Sequence, residues 1–157
     1  MSLEMKRMLL EAVVAALEAE LCRLQGAHLH SSEGANNTPV PGSQRDTTGL
    51  EAAYLASGYA SQCNALIRQI AELKQQDVED FTGQEIDVGA LVEVEVSGEN
   101  DFYLILPVGG GTEVCITEKT VTVITPESPL GSALMGNVEA GMFTLRPEWE
   151  GIILDVC

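Results

Sequence analysis

The chain has 157 residues, of which 45% are hydrophobic, enough for one ordinary domain or two small ones. Its 24 acidic and 8 basic residues give a formal charge of −16. Such a surface repels phosphate, so we expect no autonomous binding to duplex DNA and a partner with a basic surface. No apolar run approaches the roughly 20 residues that a membrane helix needs, and the first residues lack the order of a signal peptide, so we expect a cytoplasmic protein with no membrane partner.

The cysteines and histidines do not form a ligand pattern. The four cysteines are far apart in the chain and include no C-x-x-C pair: Cys22, Cys63, Cys115 and Cys157. The two histidines, His28 and His30, are two residues apart, so a zinc site would need distant ligands. We therefore expect free thiols, no stably bound metal and no intrinsic cofactor.

The first half of the chain carries two heptad patterns. One row recurs every seven residues at Leu3, Leu10, Leu17 and Leu24, and its companion row is Arg7, Val14, Leu21 and His28. A second pattern comprises Ala52, Ala56, Tyr59, Cys63, Leu66, Ile70 and Leu73. Residues that face each other in an antiparallel hairpin have numbers with a constant sum, and this sum is 80 for every pair from Arg7 with Leu73 to His28 with Ala52. The pattern predicts an antiparallel two-helix coiled-coil hairpin over residues 1–76, with a tip loop over 31–48.

The second half is dominated by short strand patterns. Alternating or β-branched runs predict strands at 91–96, 102–108, 114–116, 120–124, 142–145 and 151–156. One short helix is predicted at 129–135, between the fourth and fifth strands. The predicted fold class is therefore α+β, in which the helical hairpin is followed by a small antiparallel-sheet domain over residues 77–157.

A proline-bearing corner joins the fourth strand to the short helix. Pro126 ends the strand, Ser128 is a favourable N-cap, and Pro129 suits the first helical position. Gly136 can end the helix in a left-handed conformation. Local structure alone accounts for these residue types.

The corner also carries a resemblance to a known family. The stretch from Thr125 to Gly136 reads T-P-E-S-P-L-G-x-A-L-x-G. It resembles the Gre family of bacterial transcription elongation factors, GreA and GreB, whose C-terminal domain has an S-P-x-x-x-A-L-x-G stretch after a strand. The alternating strand near 88–96 and the helical hairpin extend this resemblance over nearly the whole chain.

The resemblance implies a function without catalysis by the chain itself. An FKBP-like C-terminal domain would dock on RNA polymerase through Glu127, Ser128 and Pro129, and the hairpin would enter the polymerase's secondary channel. There it would promote cleavage of backtracked transcripts by the polymerase. The partner is then RNA polymerase, transcript RNA is met only within that complex, and DNA binding is an association of the family.

The tip of the hairpin departs from the family pattern. In the family, acidic residues in a D-L-S-E-N-A-E-Y-like tip help to hold a second Mg²⁺ ion, which would be shared with the polymerase active centre. When the chain is aligned with the family pattern on Tyr54, the candidate metal-assisting acids are Asp46 and Glu51. Each lies one position away from the corresponding acid of the family, and the two are five rather than three residues apart. Asp46 just before a helix is also a suitable N-cap residue, and Glu51 in a first turn suits the helix dipole. A cleavage factor and a non-cleaving Gre-like regulator therefore both remain open.

Two other classes of function are less favoured. An FKBP-like prolyl isomerase needs an aromatic-lined pocket, but the second half offers five aromatic residues, some of which must serve the core: Phe81, Phe102, Tyr103, Phe143 and Trp149. A dimerisation arm is disfavoured because Arg7 and His28 occupy seam positions of the predicted coiled coil.

Overall fold

A computed structural model of the chain describes residues 1–36, 44–147 and 149–157, with the side chains of 1–30, 50–147 and 149–157. The elements are α1 (Leu3–Asn36), α2 (Gln44–Leu73), β1 (Leu91–Val96), β2 (Glu99–Ile105), β3 (Glu113–Ile116), β4 (Lys119–Ile124), α3 (Pro129–Leu134), β5 (Met142–Arg146) and β6 (Trp149–Val156). This order of a helical hairpin, strands and one short helix confirms the predicted α+β class. None of the described helices is long and apolar enough to cross a membrane.

The chain divides into two compact units. One comprises Met1–Ala16 and Glu72–Cys157, and the other comprises Leu17–Ala71. That residues 1–76 form one domain, the hairpin, and residues 77–157 a second one stays a prediction.

The unit of Leu17–Ala71 consists of the distal parts of α1 and α2. The predicted seam of α2 is confirmed, because its positions from Ala52 to Cys63 are half-buried at helical spacing while most of their neighbours are exposed. On α1, Leu17 and Leu24 are buried. The tip is shorter than predicted: residues 31–36 continue α1, and residues 44–48 already belong to α2. Residues 37–43 of the predicted tip loop lie outside the described residues.

The beginning of α1 corrects the predicted seam. Lys6, Leu9 and Val13 are buried, whereas Leu3 and Arg7 are exposed. The buried stripe is therefore rotated by one residue, about 100° around the helix. The reason is a contact that heptad spacing does not encode, since Lys6 faces the segment that follows α2.

Lys6 is tied to that segment by two interactions. Its Nζ donates a hydrogen bond to the Glu79 carbonyl and lies 4.7 Å from the centroid of the Phe81 ring. Burial lowers the pKa of Lys6, and neighbouring acidic groups offset part of that effect. A buried ammonium is tolerated here because it has both a hydrogen-bond acceptor and an aromatic face.

The six strands form one sheet in the order β3-β4-β2-β1-β6-β5. Four of its five pairings are antiparallel, and β2 pairs with β4 in parallel. The predicted antiparallel-sheet domain is confirmed, with one parallel pairing that the sequence did not reveal. The parallel pairing is possible because β3 carries the chain back along the sheet edge before β4 begins.

The sheet has an inner and an outer face. On the inner face, α3 packs through Leu134 against a core that includes Val94, Ile124 and Ile153. On the outer face, Lys6 and Leu10 of α1 lie with Leu104 and Leu106 around a small cavity of about 10 Å³. The outer face of β5 and β6 carries exposed apolar side chains, among them Met142 and Ile152.

Two hairpins close with two-residue turns in the left-handed region. Ser97 and Gly98 have φ values of 56° and 86°, and Thr117 and Glu118 have φ values of 49° and 65°. This backbone matches the twist of the adjoining strands, but it favours glycine, asparagine and aspartate. The second turn uses neither glycine nor asparagine, so it holds local strain.

All four cysteines are free thiols, as predicted.

Candidate functional site

The corner between β4 and α3 is held by the side chain of Ser128. Its Oγ donates a hydrogen bond to the Thr125 carbonyl at 2.7 Å and accepts one from the Gly131 N–H at 3.0 Å. The Ser128 backbone is extended, with φ −66° and ψ 152°, and Pro129 follows within the first turn of α3. Ser128 is therefore the N-cap that the sequence predicts, and its second bond ties the cap back to the end of β4.

Gly131 is required by the close approach of the strand. A Cβ at this position would lie 2.0 Å from the Thr125 carbonyl oxygen and 2.9 Å from Ser128 Oγ. Such distances are far below van der Waals contact, so no other residue fits without moving the strand end. The glycine of the corner sequence thus has a steric cause.

The other end of α3 is fixed to the segment before β1. Ile86 N–H donates to the Asn137 carbonyl at 2.8 Å, and Gly136 N–H donates to the Ile86 carbonyl at 2.9 Å. Gly136 has a φ of 74°, which confirms its predicted left-handed conformation. One end of the short helix is consequently anchored by the Ser128 side chain and the other by backbone hydrogen bonds.

This framework separates exposed from buried residues at the apex. Glu127 and Pro129 are exposed, whereas Ser128 is half-buried. Leu134 belongs to the core and Leu130 packs against it. The structure brings Glu127, Ser128 and Pro129 together at one apex, where Glu127 and Pro129 are exposed and Ser128 holds the turn by its hydrogen bonds.

Sequence reasoning did not find an acidic groove at the far end of α3. Glu79, Glu85 and Asp87 line it together with Phe81 and Met135, and its volume is about 590 Å³. Its acids come from the connector after α2, whose irregular sequence has no periodicity that predicts a face. The groove adds negative charge near α3 and so reinforces the expectation of a basic partner surface.

The tip acids are not placed as a pair. Helix α2 begins at Gln44, so Asp46 lies inside its first turn and Glu51 lies beyond it. The prediction that Asp46 precedes the helix is wrong, as is the first-turn placement of Glu51, because the helix starts several residues earlier than expected. Only the backbone of Asp46 is described, and the side chain of Glu51 is exposed.

The helical spacing decides what these two acids can share. Five positions along an α-helix turn about 140° around the axis and rise about 7.5 Å, so positions 46 and 51 lie on different sides of the α2 backbone. Glu51 lies among the exposed apolar side chains of Leu50, Tyr54 and Leu55. The sharing of a Mg²⁺ ion by these two acids stays a prediction. Among the described side chains, no cluster of three or more histidine, cysteine or acidic residues could hold a metal ion.

Comparisons with known proteins give structural neighbours only. No family model matches the chain, and no curated protein matches it. The chain is similar to the GreA factor homolog 1 (Gfh1) protein of Thermus thermophilus, with 20% identity over 93% of this chain and 95% of that one and a TM-score of 0.38. It is also similar to Thermus aquaticus Gfh1, with 19% identity, coverages of 93% and 94% and a TM-score of 0.39. A further structure of the transcription factor Gfh1 has 20% identity, coverages of 92% and 93% and a TM-score of 0.36.

Proposed function

We propose that the chain is an RNA polymerase-binding elongation factor of Gre type. It docks through the apex at Glu127, Ser128 and Pro129 of an FKBP-like domain, and its helical hairpin occupies the secondary channel of the polymerase. The chain itself catalyses no reaction in this proposal. It meets transcript RNA only inside the complex.

The observation that carries the proposal is the rigid, exposed apex. The Ser128 hydroxyl both donates and accepts a hydrogen bond within the corner, and the Thr125 carbonyl lies so close to Gly131 that no Cβ fits between them. Glu127 and Pro129 are thereby presented in one fixed arrangement. An acidic side chain beside a rigid apolar ring suits a basic, partly apolar surface on the partner, since little conformational entropy is lost on binding.

Within this proposal, the tip favours a non-cleaving channel occupant. A cleavage factor would use two acids on one side of the tip, as in the family pattern. Here positions 46 and 51 lie on one helix, about 140° apart around its axis, and Glu51 lies beside exposed apolar residues. Promotion of transcript cleavage is the second candidate.

Docking is tested with purified bacterial core RNA polymerase and the full chain. We expect Pro129→Ala to weaken binding by about tenfold, an effect typical of one central interface residue. Pro147→Ala is the matched control, because Pro147 is also exposed in the sheet unit, and it should bind as the parent chain does. Undetectable binding of the parent chain at modest salt would remove the whole proposal.

Cleavage is tested separately on backtracked elongation complexes. A non-cleaving occupant binds these complexes and leaves the cleavage rate at that of polymerase alone. Stimulated cleavage that is lost in Asp46→Asn plus Glu51→Gln, with binding retained, would establish the cleavage factor instead. Stimulation that survives both substitutions would remove these two acids from the mechanism.

A prolyl isomerase is not favoured by the placement of the aromatic residues. Phe81 and Phe143 are buried in the core, and Phe102 lies under the Lys119 ammonium group, 4.2 Å from the ring centroid. Trp149 stands at the start of β6 with 39% of its surface exposed. These side chains do not converge on one pocket, and a turnover assay with a proline peptide checks this directly.

A further inference from the structure

The outer face of β5 and β6 carries apolar side chains that no described residue covers. Met142 is 66% exposed, Ile152 43% and Leu154 36%. Met142 and Ile152 are direct cross-strand partners. Their sequence neighbours Phe143 and Ile153 belong to the core of the inner face, so strand alternation places Met142 and Ile152 on the outer face. We call Met142, Ile152 and Leu154 the outer patch.

The patch continues along β6 up to a β-bulge. The register of β1 with β6 shifts between Glu93 and Val94, where Ile153 pairs with Val94 and Asp155 with Glu93. Leu154 is the extra residue, and it lies two positions from Ile152 on the same strand. The outer patch therefore runs across β5 and along β6 rather than consisting of scattered exposed residues.

Acidic residues border the patch. Glu95 is the cross-strand partner of Ile152 on β1, and Glu150 lies two residues before Ile152 on β6. Further along, Glu93 accepts a hydrogen bond from Asn100 at 2.9 Å, and Asp155 pairs with the Met1 amino group at 2.6 Å. Ile152 therefore has a carboxylate beside it on β1 and another two residues before it on β6, whereas Met142 and Leu154 are its apolar neighbours.

We propose that the outer patch binds an amphipathic helix of a basic partner protein, with apolar side chains on Ile152 and its neighbours and lysine or arginine side chains on Glu95 and Glu150. A sheet face is normally covered by a helix with an apolar stripe, and the carboxylates select basic flanks. A second copy of this chain is a poorer occupant, because a formal charge of −16 on each copy opposes self-association.

This surface is distinct from the docking apex. Helix α3 and the apex lie with the inner-face core, which contains Leu134 and Ile153, whereas the patch lies on the opposite face of the sheet. The proposal therefore goes beyond the proposed function and does not depend on it. Substitutions can separate the two, because Pro129→Ala changes the apex alone.

The test uses the full chain and a synthetic probe. The probe is an 18-residue Leu–Lys peptide whose leucines follow helical spacing, and a scrambled peptide of the same composition is its control. Amide chemical shifts of the isotope-labelled chain locate the binding site, and fluorescence anisotropy gives the affinity. We expect shifts centred on Met142, Ile152 and Leu154, weak binding of the scrambled peptide, and reduced affinity at higher salt.

Two matched variants test the apolar contact. Ile152→Ser should weaken binding by about tenfold, whereas Ile67→Ser, at an isoleucine that is 47% exposed on α2, should change it by less than about twofold. If Ile152→Ser disturbs the fold, the affinity of Met142→Ser for the peptide tests the same apolar contact. Pro129→Ala should leave peptide binding unchanged.

The charged border has its own pair of variants. Glu95→Lys should weaken peptide binding, whereas Glu113→Lys, on edge strand β3 at the other side of the sheet, should not. Equal affinities of the parent chain, Ile152→Ser and Met142→Ser would overturn the proposal, as would shifts centred on the tip or on the acidic groove. Self-association of the chain that Ile152→Ser abolishes would overturn it in favour of a second copy.

Discussion

Replacement of Gly131 by alanine should break the corner that presents Glu127 and Pro129. The new Cβ would stand 2.0 Å from the Thr125 carbonyl oxygen, so this carbonyl must move by more than an ångström. It accepts hydrogen bonds from Ser128 Oγ at 2.7 Å and from Ser128 N–H at 3.0 Å. Loss of both costs about 2 kcal/mol, and strain adds about 1–3 kcal/mol. The better helix propensity of alanine offsets about 1 kcal/mol. The net loss is then about 2–4 kcal/mol of the free energy of unfolding.

Urea unfolding followed by tryptophan fluorescence measures this loss. Trp149 is the only tryptophan of the chain, and it belongs to the same compact unit as the corner. With a denaturant slope of about 1.5 kcal/mol per molar urea, the midpoint should fall by about 1.3–2.7 M. Gly58→Ala is the control, because Gly58 lies in α2 with no atom within 4 Å of a built Cβ. There alanine should stabilise the helix by about 0.5–1 kcal/mol, seen by circular dichroism. An unchanged midpoint for Gly131→Ala would refute the steric account of the corner.

Two further predictions concern the sheet. In the β3–β4 turn, Thr117→Asn with Glu118→Gly should raise the free energy of unfolding by about 1 kcal/mol, because both positions have a positive φ. A lower free energy of unfolding, measured with urea, would contradict this prediction. Burial, and secondarily Asp101, raises the pKa of Tyr103 above its usual value of 10.0. The stabilisation from the neutral phenol is therefore complete below pH 10 and is lost as the pH rises through the folded-state pKa. Tyr103→Phe should remove that part of the alkaline stability loss, whereas Tyr54→Phe, at an exposed tyrosine, should leave it unchanged.

Local patterns account for the elements that the sequence predicts well. The alternation of β1 and the β-branched run of β4 specify strands because one side chain in two must be buried. Ser128, Pro129 and Gly136 specify the bounds of α3 because each has a strong positional preference at a helix end. The α2 seam follows from heptad spacing in the same way. These features depend on neighbours within a few residues.

Long-range pairing accounts for what the sequence does not show. The parallel register of β2 with β4 follows from the path of β3, which alternation cannot reveal. The burial of Lys6 depends on Glu79 and Phe81, more than 70 residues away in the chain. A lysine one place before the heptad row has no local signal for burial. For the same reason, the outer patch appears only after Met142 and Ile152 are paired across two strands.

The same distinction between local and long-range causes applies to the candidate site. The geometry of the corner is local, and Ser128 and Gly136 adopt the capping conformations that the sequence predicts. The tip acids depend on where α2 begins, and capping preferences placed that start near Asp46 rather than at Gln44. A shift of a few residues at a helix end is enough to change which carboxylates can lie side by side.

The affinity of Glu127→Lys for bacterial core RNA polymerase tests the central claim most directly. The control is Glu118→Lys, which makes the same change in net charge at the turn before β4. The six residues of β4 separate the two positions by about 20 Å.

With fold and stability verified for both variants, we expect the Kd to rise by tenfold or more for Glu127→Lys, since it places a cation against a basic surface. For Glu118→Lys it should change by less than about threefold. Equal effects of the two variants, or full binding by Glu127→Lys, would contradict docking through the apex.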